Sequence, residues 1–169
     1  MNIKRSYHNN NGSFKSLLAI GNPIIDILFD IDLNTIKKYG LMKTDISYVD
    51  NKNEIIFSDF EKLSKVEYIP GGFIQNILRV TSWCLGMANS SSIFNLIMLG
   101  AVGQDTYKEK IIKSFESVGV KYLFETIPEI KTSRCGVGIY KKERYLLSEI
   151  RASKYLAKEY INKNKNNIY

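Results

Sequence analysis

The chain has 169 residues, a formal net charge of +7 and one histidine, with 44% hydrophobic and 24% charged residues, the balance of a single globular domain. No apolar run approaches ~18 residues, which argues against a helical membrane span. The polar N-terminus has no apolar stretch of the secretory kind, and two cysteines, Cys84 and Cys135, are too few for a disulfide framework. The expected compartment is therefore the cytoplasm, with the nucleus as a second one. The positive charge favours anionic partners, but the lysines are scattered and partly gathered in residues 154–165. Without a basic-aromatic motif, nucleic acid is not the expected partner; a phosphorylated ligand accounts for local basic residues as well.

Residues 1–15 are polar and Asn-rich, a composition expected to be disordered. Residues 17–20 form a short apolar run before Gly21 and read as a buried first strand. Residues 24–31 continue apolar and β-branched, interrupted by Asp26 and Asp30. An acid inside such a run needs a reason, because a buried unpaired carboxylate is costly. Residues 34–39 form a short helix candidate closed by Gly40. Residues 46–49 read as a strand, and residues 54–63 as an amphipathic helix with Ile55, Ile56, Phe60 and Leu63 on one side.

A strand over residues 65–69 then meets Pro70-Gly71-Gly72, and a helical pattern opens with Phe73, Ile77, Val80, Cys84 and Met87 at steps of three and four. Strand, paired glycines and helix make a tight turn that delivers a helix N-terminus. Glycine lets backbone N–H groups approach a ligand closely, and first-turn N–H groups have no partner inside the helix. Asn76, one turn in, adds an amide with donors and acceptors. The stretch reads either as a cradle for the hydroxyls of a small polar ligand or as a plain capped turn.

Residues 86–92 look like a small polar loop. Residues 93–99 read as a central strand covered on both faces, ending in Gly100-Ala101-Val102-Gly103-Gln104-Asp105. Gly100, Gly103 and Asp105 suit a turn and helix cap. Residues 106–109 fit a capping box, opening a helix striped by Tyr107, Ile111, Phe115 and Val118. Residues 120–125 are a strand. Residues 134–140 and 144–149 alternate around Lys141-Lys142-Glu143 as a β-hairpin. Residues 152–161 are a helix candidate, and residues 162–169 a polar tail. Strand–helix alternation argues for an α/β fold with a parallel sheet. Asp26, Gly71-Gly72 and 100–105 all follow strands, where ligands bind in such folds.

Three stretches carry a resemblance: Gly21-Asn22-Pro23-Ile24-Ile25-Asp26; Lys65-Val66-Glu67-Tyr68 with Gly71-Gly72 and Gln75-Asn76; and Gly100-Ala101-Val102-Gly103-Gln104-Asp105. With Thr132, Cys135, Arg144 and Leu146 in the hairpin, they resemble the adenosine kinases of the ribokinase-like sugar and nucleoside kinase family, in order and spacing from about Leu17 to Lys158. The resemblance implies a Rossmann-like ribokinase fold: a partial parallel sheet flanked by helices over residues 16–161, with a small β lid from strands at about 24–50 and 133–150.

It also implies roles. Asp26 would accept both hydroxyls of a ribose diol. Asn76 and the Gly71 and Gly72 backbone would hold the same sugar, and Asn22 would line the pocket. Arg144, on the lid hairpin, would approach the transferring phosphate through its charged fork. Tyr48, Cys135, Leu146 and Ser148 would wall the base and lid side. The implied activity is ATP- and Mg²⁺-dependent phosphorylation of adenosine at the 5′-hydroxyl, giving AMP in purine salvage, with lid closure excluding water. Each residue has a plainer reading: Asp26 as a turn acid, Arg144 as an exposed hairpin residue, Cys135 as a small buried hydrophobe.

The sequence departs from the family pattern at Phe73, where a small hydroxyl residue is usual, at Lys108 in place of a glycine, and at Ile46 in place of a polar lid residue. No Gly-x-Gly-Asp occurs, whereas family members run to about twice this length and carry a Gly-Ala-Gly-Asp segment supplying an anion-binding helix N-terminus and the aspartate base. The expectation is an N-terminal half that holds nucleoside but does not turn over alone, contains no catalytic base and no metal ligands, and leaves sheet surface open to self-association. The alternative is a non-catalytic nucleoside-binding or interaction module derived from such a kinase; a nucleic-acid binder is a distant third.

Overall fold

The computed structural model describes residues 15–43, 45–49, 55–62, 65–88 and 94–167. Strands β1 (Lys15–Ile20) and β2 (Ile24–Asp30) lead to helix α1 (Leu33–Tyr39), strand β3 (Ile46–Tyr48) and helix α2 (Ile55–Glu61). Strand β4 (Val66–Gly71) feeds helix α3 (Phe73–Met87), and β5 (Phe94–Gly103) feeds α4 (Thr106–Glu116). Strands β6 (Lys121–Ile127), β7 (Ser133–Tyr140) and β8 (Glu143–Glu149) precede a 3-10 turn (Ala152–Tyr155) and helix α5 (Lys158–Lys163). Nearly all of the tail expected to be disordered lies outside the described residues.

The strands form two sheets. One has three parallel strands in the order β1-β5-β6. The central β5 is buried from Leu96 through Gly103, as its apolar run requires. The other sheet has five strands in the order β3-β8-β7-β2-β4 and is mixed: β2 runs parallel to β7 and antiparallel to β4. Its strands within 24–50 and 133–150 are joined by β4. Pleating sends alternate residues to opposite faces. Ile25, Ile27 and Phe29 of β2 and Leu147 of β8 point into the core with Ile36 of α1 and Ile56, Phe57 and Phe60 of α2. Phe29 and Phe60 stack there at 4.2 Å between ring centroids. The other face of the same sheet carries Asp26.

Local chemistry explains most element ends. Asp32 accepts a hydrogen bond from the Thr35 N–H at 2.7 Å and starts α1; Gly40, with φ 59°, closes it. Lys141 and Lys142, at φ 48° and 67°, form the two-residue turn between β7 and β8, a conformation matched to strand twist. Asp105, rather than the Thr106 of the expected capping box, caps α4 by accepting from the Lys108 N–H at 3.0 Å. None of the described helices is long and apolar enough to cross a membrane.

Four expectations need correction. The first strand is not buried: β1 pairs with β5 alone and lies at the sheet edge, leaving Leu17 42% and Ile20 51% exposed. The apolar stripe on α3 faces outward, whereas Gln75 and Leu78 are buried. The helix expected over 152–161 is interrupted at Leu156 and Ala157, because the Ala157 N–H, in extended backbone, donates to Glu125 Oε2 of β6 at 2.7 Å. The polar tail is partly ordered, with α5 reaching Lys163 and a short 3-10 turn over Lys165–Asn167.

Candidate functional site

Hydrogen-bonded pairing lines up Tyr48 of β3, Ser148 of β8, Cys135 of β7, Asp26 of β2 and Ile69 of β4 as one row across the five-stranded sheet. Directly opposed residues share a face, so these five side chains stand on the same side, away from the helical core. The next row carries Ile46, Leu146, Val137 and Leu28. The face is thus a mostly apolar plate with an acid, a hydroxyl and a thiol along one line.

The row meets the N-terminus of α3 at Asp26. β2 and β4 pair antiparallel with Ile24 opposite Gly71, which brings the Asp26 carboxyl over the Gly71 backbone. A Cβ built on Gly71 would lie 1.9 Å from Asp26 Oδ2, so the carboxylate occupies the space a side chain would fill. Gly72 follows at φ 85° and caps α3 with no side-chain hydrogen bond; a Cβ there would meet the Asn22 carbonyl oxygen at 3.5 Å. Asp26, Gly71, Gly72 and Asn22 therefore converge, and the first-turn N–H groups of α3 open onto the same place. Asn76 is one turn further on, its amide oxygen accepting from Arg79 Nη2.

Electrostatics suit a hydroxyl ligand. Burial pushes the Asp26 carboxyl up to about 6, and the Arg79 guanidinium holds back part of that rise. Among the described residues no hydrogen-bond donor reaches this carboxylate, which leaves its acceptor capacity free. Burial, with the Asp26 charge beside it, pushes the Cys135 thiol up to about 12. Cys135 is thus a wall of the site and stays protonated, in keeping with its plainer reading.

The remaining expected residues spread outward from this centre. Ser148 is buried, Leu146 half-buried and Tyr48 exposed. Tyr48 stands three strands from Asp26, roughly 14 Å at ordinary strand spacing. Arg144 is exposed on the same face beside the hairpin turn and pairs with Ile139, four residues and roughly 13 Å along β8 from Ser148. The site therefore has a compact corner at Asp26, Gly71 and Gly72 and a distant arginine at the hairpin turn. Phe73 stands exposed on the first turn of α3.

Two residues with no role assigned from sequence turn out to build the site. Gln75 is buried and its amide donates to the Ile24 carbonyl at 2.7 Å and to the Gly71 carbonyl. It clamps the ends of β2 and β4, and so fixes Asp26 against Gly71. Its place between the paired glycines and Asn76 was the available signal. Arg134 is buried on the core side of β7. Its Nε donates to Glu149 Oε2 at 2.6 Å, its Nη1 to Glu61 Oε1 at 3.0 Å, and its guanidinium stacks on Phe57 at 3.9 Å from the ring centroid. It ties α2 to the back of the plate. Gly136 and Gly138 on the same strand face make room for Phe57, Phe29 and Ile31 rather than for Arg134, so no local sequence signal marks it. Arg134→Met is expected to cost about 2 kcal/mol in urea unfolding, since buried Glu149 loses one of its two guanidinium partners among the described residues and keeps Arg151 at 2.6 Å; a loss below about 1 kcal/mol would show the network to be slack.

Asp105 has a structural task. Besides capping α4 it accepts from the Thr132 N–H at 2.7 Å and the Thr132 hydroxyl at 2.8 Å. Among the described residues there is no grouping of three or more His, Cys, Asp or Glu side chains that could hold a metal ion.

Residues 34–167 match the family model described as pfkB family carbohydrate kinase. Adenosine kinase from Saccharomyces cerevisiae is 26% identical over 151 residues, covering 87% of this chain and 43% of the relative. Adenosine kinase 1 from Arabidopsis thaliana is 27% identical over 150 residues, covering 89% and 42%. Among solved structures, Trypanosoma brucei brucei adenosine kinase superposes with a TM-score of 0.75 at 25% identity, covering 89% of this chain and 44% of that one. Anopheles gambiae adenosine kinase in complex with P1,P4-di(adenosine-5) tetraphosphate superposes with a TM-score of 0.78 at 25% identity, covering 89% and 42%. The chain thus spans less than half the length of these relatives.

Proposed function

The chain belongs to the pfkB family of carbohydrate kinases, and on that footing we propose that its 169 residues form the nucleoside-holding part of an adenosine kinase. The observation that carries this reading is the unpartnered Asp26 carboxylate resting on the Gly71 backbone at the open start of α3. Two carboxylate oxygens match the two adjacent hydroxyl donors of a ribose. The Gly71 and Gly72 backbone and Asn76 hold the same sugar, and Asn22 lines its pocket. Cys135, Ser148, Leu146 and Tyr48 wall the base and lid side. Arg144 reaches the transferring phosphate when the five-stranded sheet closes, and closure keeps water from competing with the 5′-hydroxyl.

The reaction of the whole enzyme would pass the terminal phosphate of ATP, with Mg²⁺, to the ribose 5′-hydroxyl and give AMP. Phosphoryl transfer rests on positioning and charge stabilisation. The base and anion-holding segment that the family places in Gly-Ala-Gly-Asp is absent from these residues. The 169 residues by themselves are therefore expected to bind adenosine without phosphorylating it, the behaviour of a nucleoside-binding module.

Titration calorimetry with adenosine and 2′,3′-dideoxyadenosine tests the reading. Adenosine is expected to bind, and the dideoxy analogue and the Asp26→Asn variant to lose that binding. Equal affinity for the two ligands would sink the diol assignment. Transfer of phosphate from ATP to adenosine by this chain alone, with Mg²⁺ supplied, would refute the claim of binding without turnover.

The pH dependence has a definite sign. Burial raises the free Asp26 carboxyl to about 6, so it is charged above that pH and accepts the diol there. Adenosine affinity is expected to fall as pH drops from 7 to 5. The same shift acts on the fold in the opposite sense. The native state holds the proton more tightly than the unfolded chain, so this group favours folding most at low pH, and its contribution declines as pH rises through about 4 to 6.

A further inference from the structure

Helix α3 has one charged side chain among its fifteen residues, Arg79, and that one is half-buried. Its guanidinium spans two helices. Nη1 donates to Ser114 Oγ of α4 at 3.3 Å, and Nη2 donates to the Asn76 amide oxygen one turn earlier in α3. A guanidinium has donors only, so the Asn76 atom that it meets is fixed as the oxygen. The Asn76 amide nitrogen is the end left over, and among the described residues it donates to no group.

The free end of that amide matters because of where Asn76 stands. Its backbone N–H closes the first turn of α3 on the Gly72 carbonyl at 3.1 Å. Helical side chains lean toward the helix N-terminus, so Asn76 leans over the turn that starts at Gly72, next to the Gly71 on which the Asp26 carboxylate rests. A hydroxyl group both donates and accepts. An ionised Asp26 takes only the two hydroxyl protons of a diol, and the diol oxygens then need donors. The Asn76 nitrogen supplies one. The same amide turned over would set a third acceptor oxygen beside the carboxylate and offer the diol oxygens nothing. Which end of Asn76 faces the ligand therefore decides whether the corner matches a diol.

We propose that Arg79 is a positioning residue of this corner: its fork, anchored on Ser114, holds the Asn76 amide with the nitrogen turned to the diol. Arg79 acts through Asn76 rather than on the sugar. The planar fork matters as much as the charge, because its two terminal nitrogens keep fixed directions toward Ser114 and Asn76. A lysine ammonium is a single point on a flexible stem. Arg79→Lys thus keeps the cation that holds back the rise of the Asp26 carboxyl but releases the amide, and Arg79→Met removes both. The proposal rests on the diol reading above, and the two fail separately. The diol reading is judged on the parent chain's preference for adenosine over 2′,3′-dideoxyadenosine, and the amide lock on the Asn76 side chain with no ligand present.

Two measurements on the 169-residue chain test it. Nitrogen-15 relaxation of the Asn76 side-chain NH2 in the ligand-free chain reports the lock. The parent is expected to be as rigid as ordered backbone, with an order parameter near ~0.85, and Arg79→Lys and Arg79→Met to drop below about 0.6. Calorimetry with adenosine at about pH 8, where the Asp26 carboxyl is charged, reports what the lock does for binding. Arg79→Lys and Arg79→Met are each expected to weaken adenosine at least about fivefold. In an Asn76→Ala background the same substitutions are expected to change affinity less than about twofold, because the group they act through is gone. A merely structural role would cost the same with and without Asn76. Equal losses in the two backgrounds overturn the proposal, and so does an Asn76 amide equally mobile in the parent and in Arg79→Lys. Urea unfolding accompanies each variant. Arg79→Lys, which keeps a long stem and the charge, carries the test if Arg79→Met fails to fold.

Discussion

Gly71→Ala is expected to leave the fold standing and to remove nucleoside binding. Gly71 has no positive φ, so alanine can adopt its backbone. The new methyl would sit 1.9 Å from Asp26 Oδ2 and 2.2 Å from its carboxyl carbon. Those atoms end a flexible side chain, so the carboxylate swings away rather than the strands parting. Hydrogen bonds to a charged acceptor contribute about 1.5–3 kcal/mol each, so losing two through one displaced group should weaken adenosine by about a hundredfold or more. Asp26→Ala should do the same, and the double variant should be no worse than either single one, because both remove one interaction. Calorimetry on the three proteins checks this. A Gly71→Ala protein that binds adenosine within about threefold of the parent would show that the carboxylate is not the anchor.

The same substitution at Gly103 should do the reverse, destroying the fold before any question of ligand arises. A Cβ there would lie 2.3 Å from the Ile130 carbonyl oxygen, 2.5 Å from the Thr132 nitrogen and 2.7 Å from the Lys131 carbonyl carbon. All three are backbone atoms with no rotamer to change. They are also stapled: the Gly103 N–H donates to the Thr132 hydroxyl at 2.9 Å, and Thr132 in turn donates to Asp105. Forcing this apart breaks the junction of β5, α4 and β7 at once. We expect a cost of roughly 3 kcal/mol or more, a large share of the ~5–15 kcal/mol that holds a domain together. Urea unfolding and protease sensitivity measure it; an unchanged midpoint would mean that the 130–132 segment can retreat.

The pair of substitutions separates binding from folding along one motif family. Gly71 yields space to an acid, and the acid serves a ligand. Gly103 yields space to backbone, and the neighbouring Asp105 serves the architecture. Each pair sets a glycine at the end of a strand beside an aspartate, Gly71 of β4 against Asp26 inside β2 and Gly103 of β5 next to Asp105, and sequence position alone does not tell their roles apart. The distinction comes from what each carboxylate touches: no donor at Asp26 among the described residues, three at Asp105.

Much of the fold was legible because it depends on short-range rules. Period-two and period-3.6 patterns located the strands and helices, Asp32 and Gly40 bracketed α1, and the paired lysines marked a hairpin turn. The paired glycines before α3 were readable for the same reason, since a helix start after a strand needs residues of that kind. Misreadings arose where a partner distant in the chain intervenes. Glu125 broke a helix by accepting from the Ala157 N–H. The apolar runs of β1 and α3 announced burial, yet among the described residues both stay partly open. An apolar pattern states that a surface must be covered; it does not say by which polypeptide.

Composition and spacing thus carried the class of fold and the order of its elements, because these follow from each residue's own geometry and from neighbours within about one helical turn; the sugar-binding roles came from the family resemblance. Folding in three dimensions supplied the rest. It set Asp26 against Gly71 through the β2–β4 register, put Tyr48, Ser148 and Cys135 on the acid's row, and buried Arg134 behind that row. Registers and buried ion pairs join residues tens of positions apart, and their energy depends on who is opposite whom, a relation that one-dimensional order does not contain.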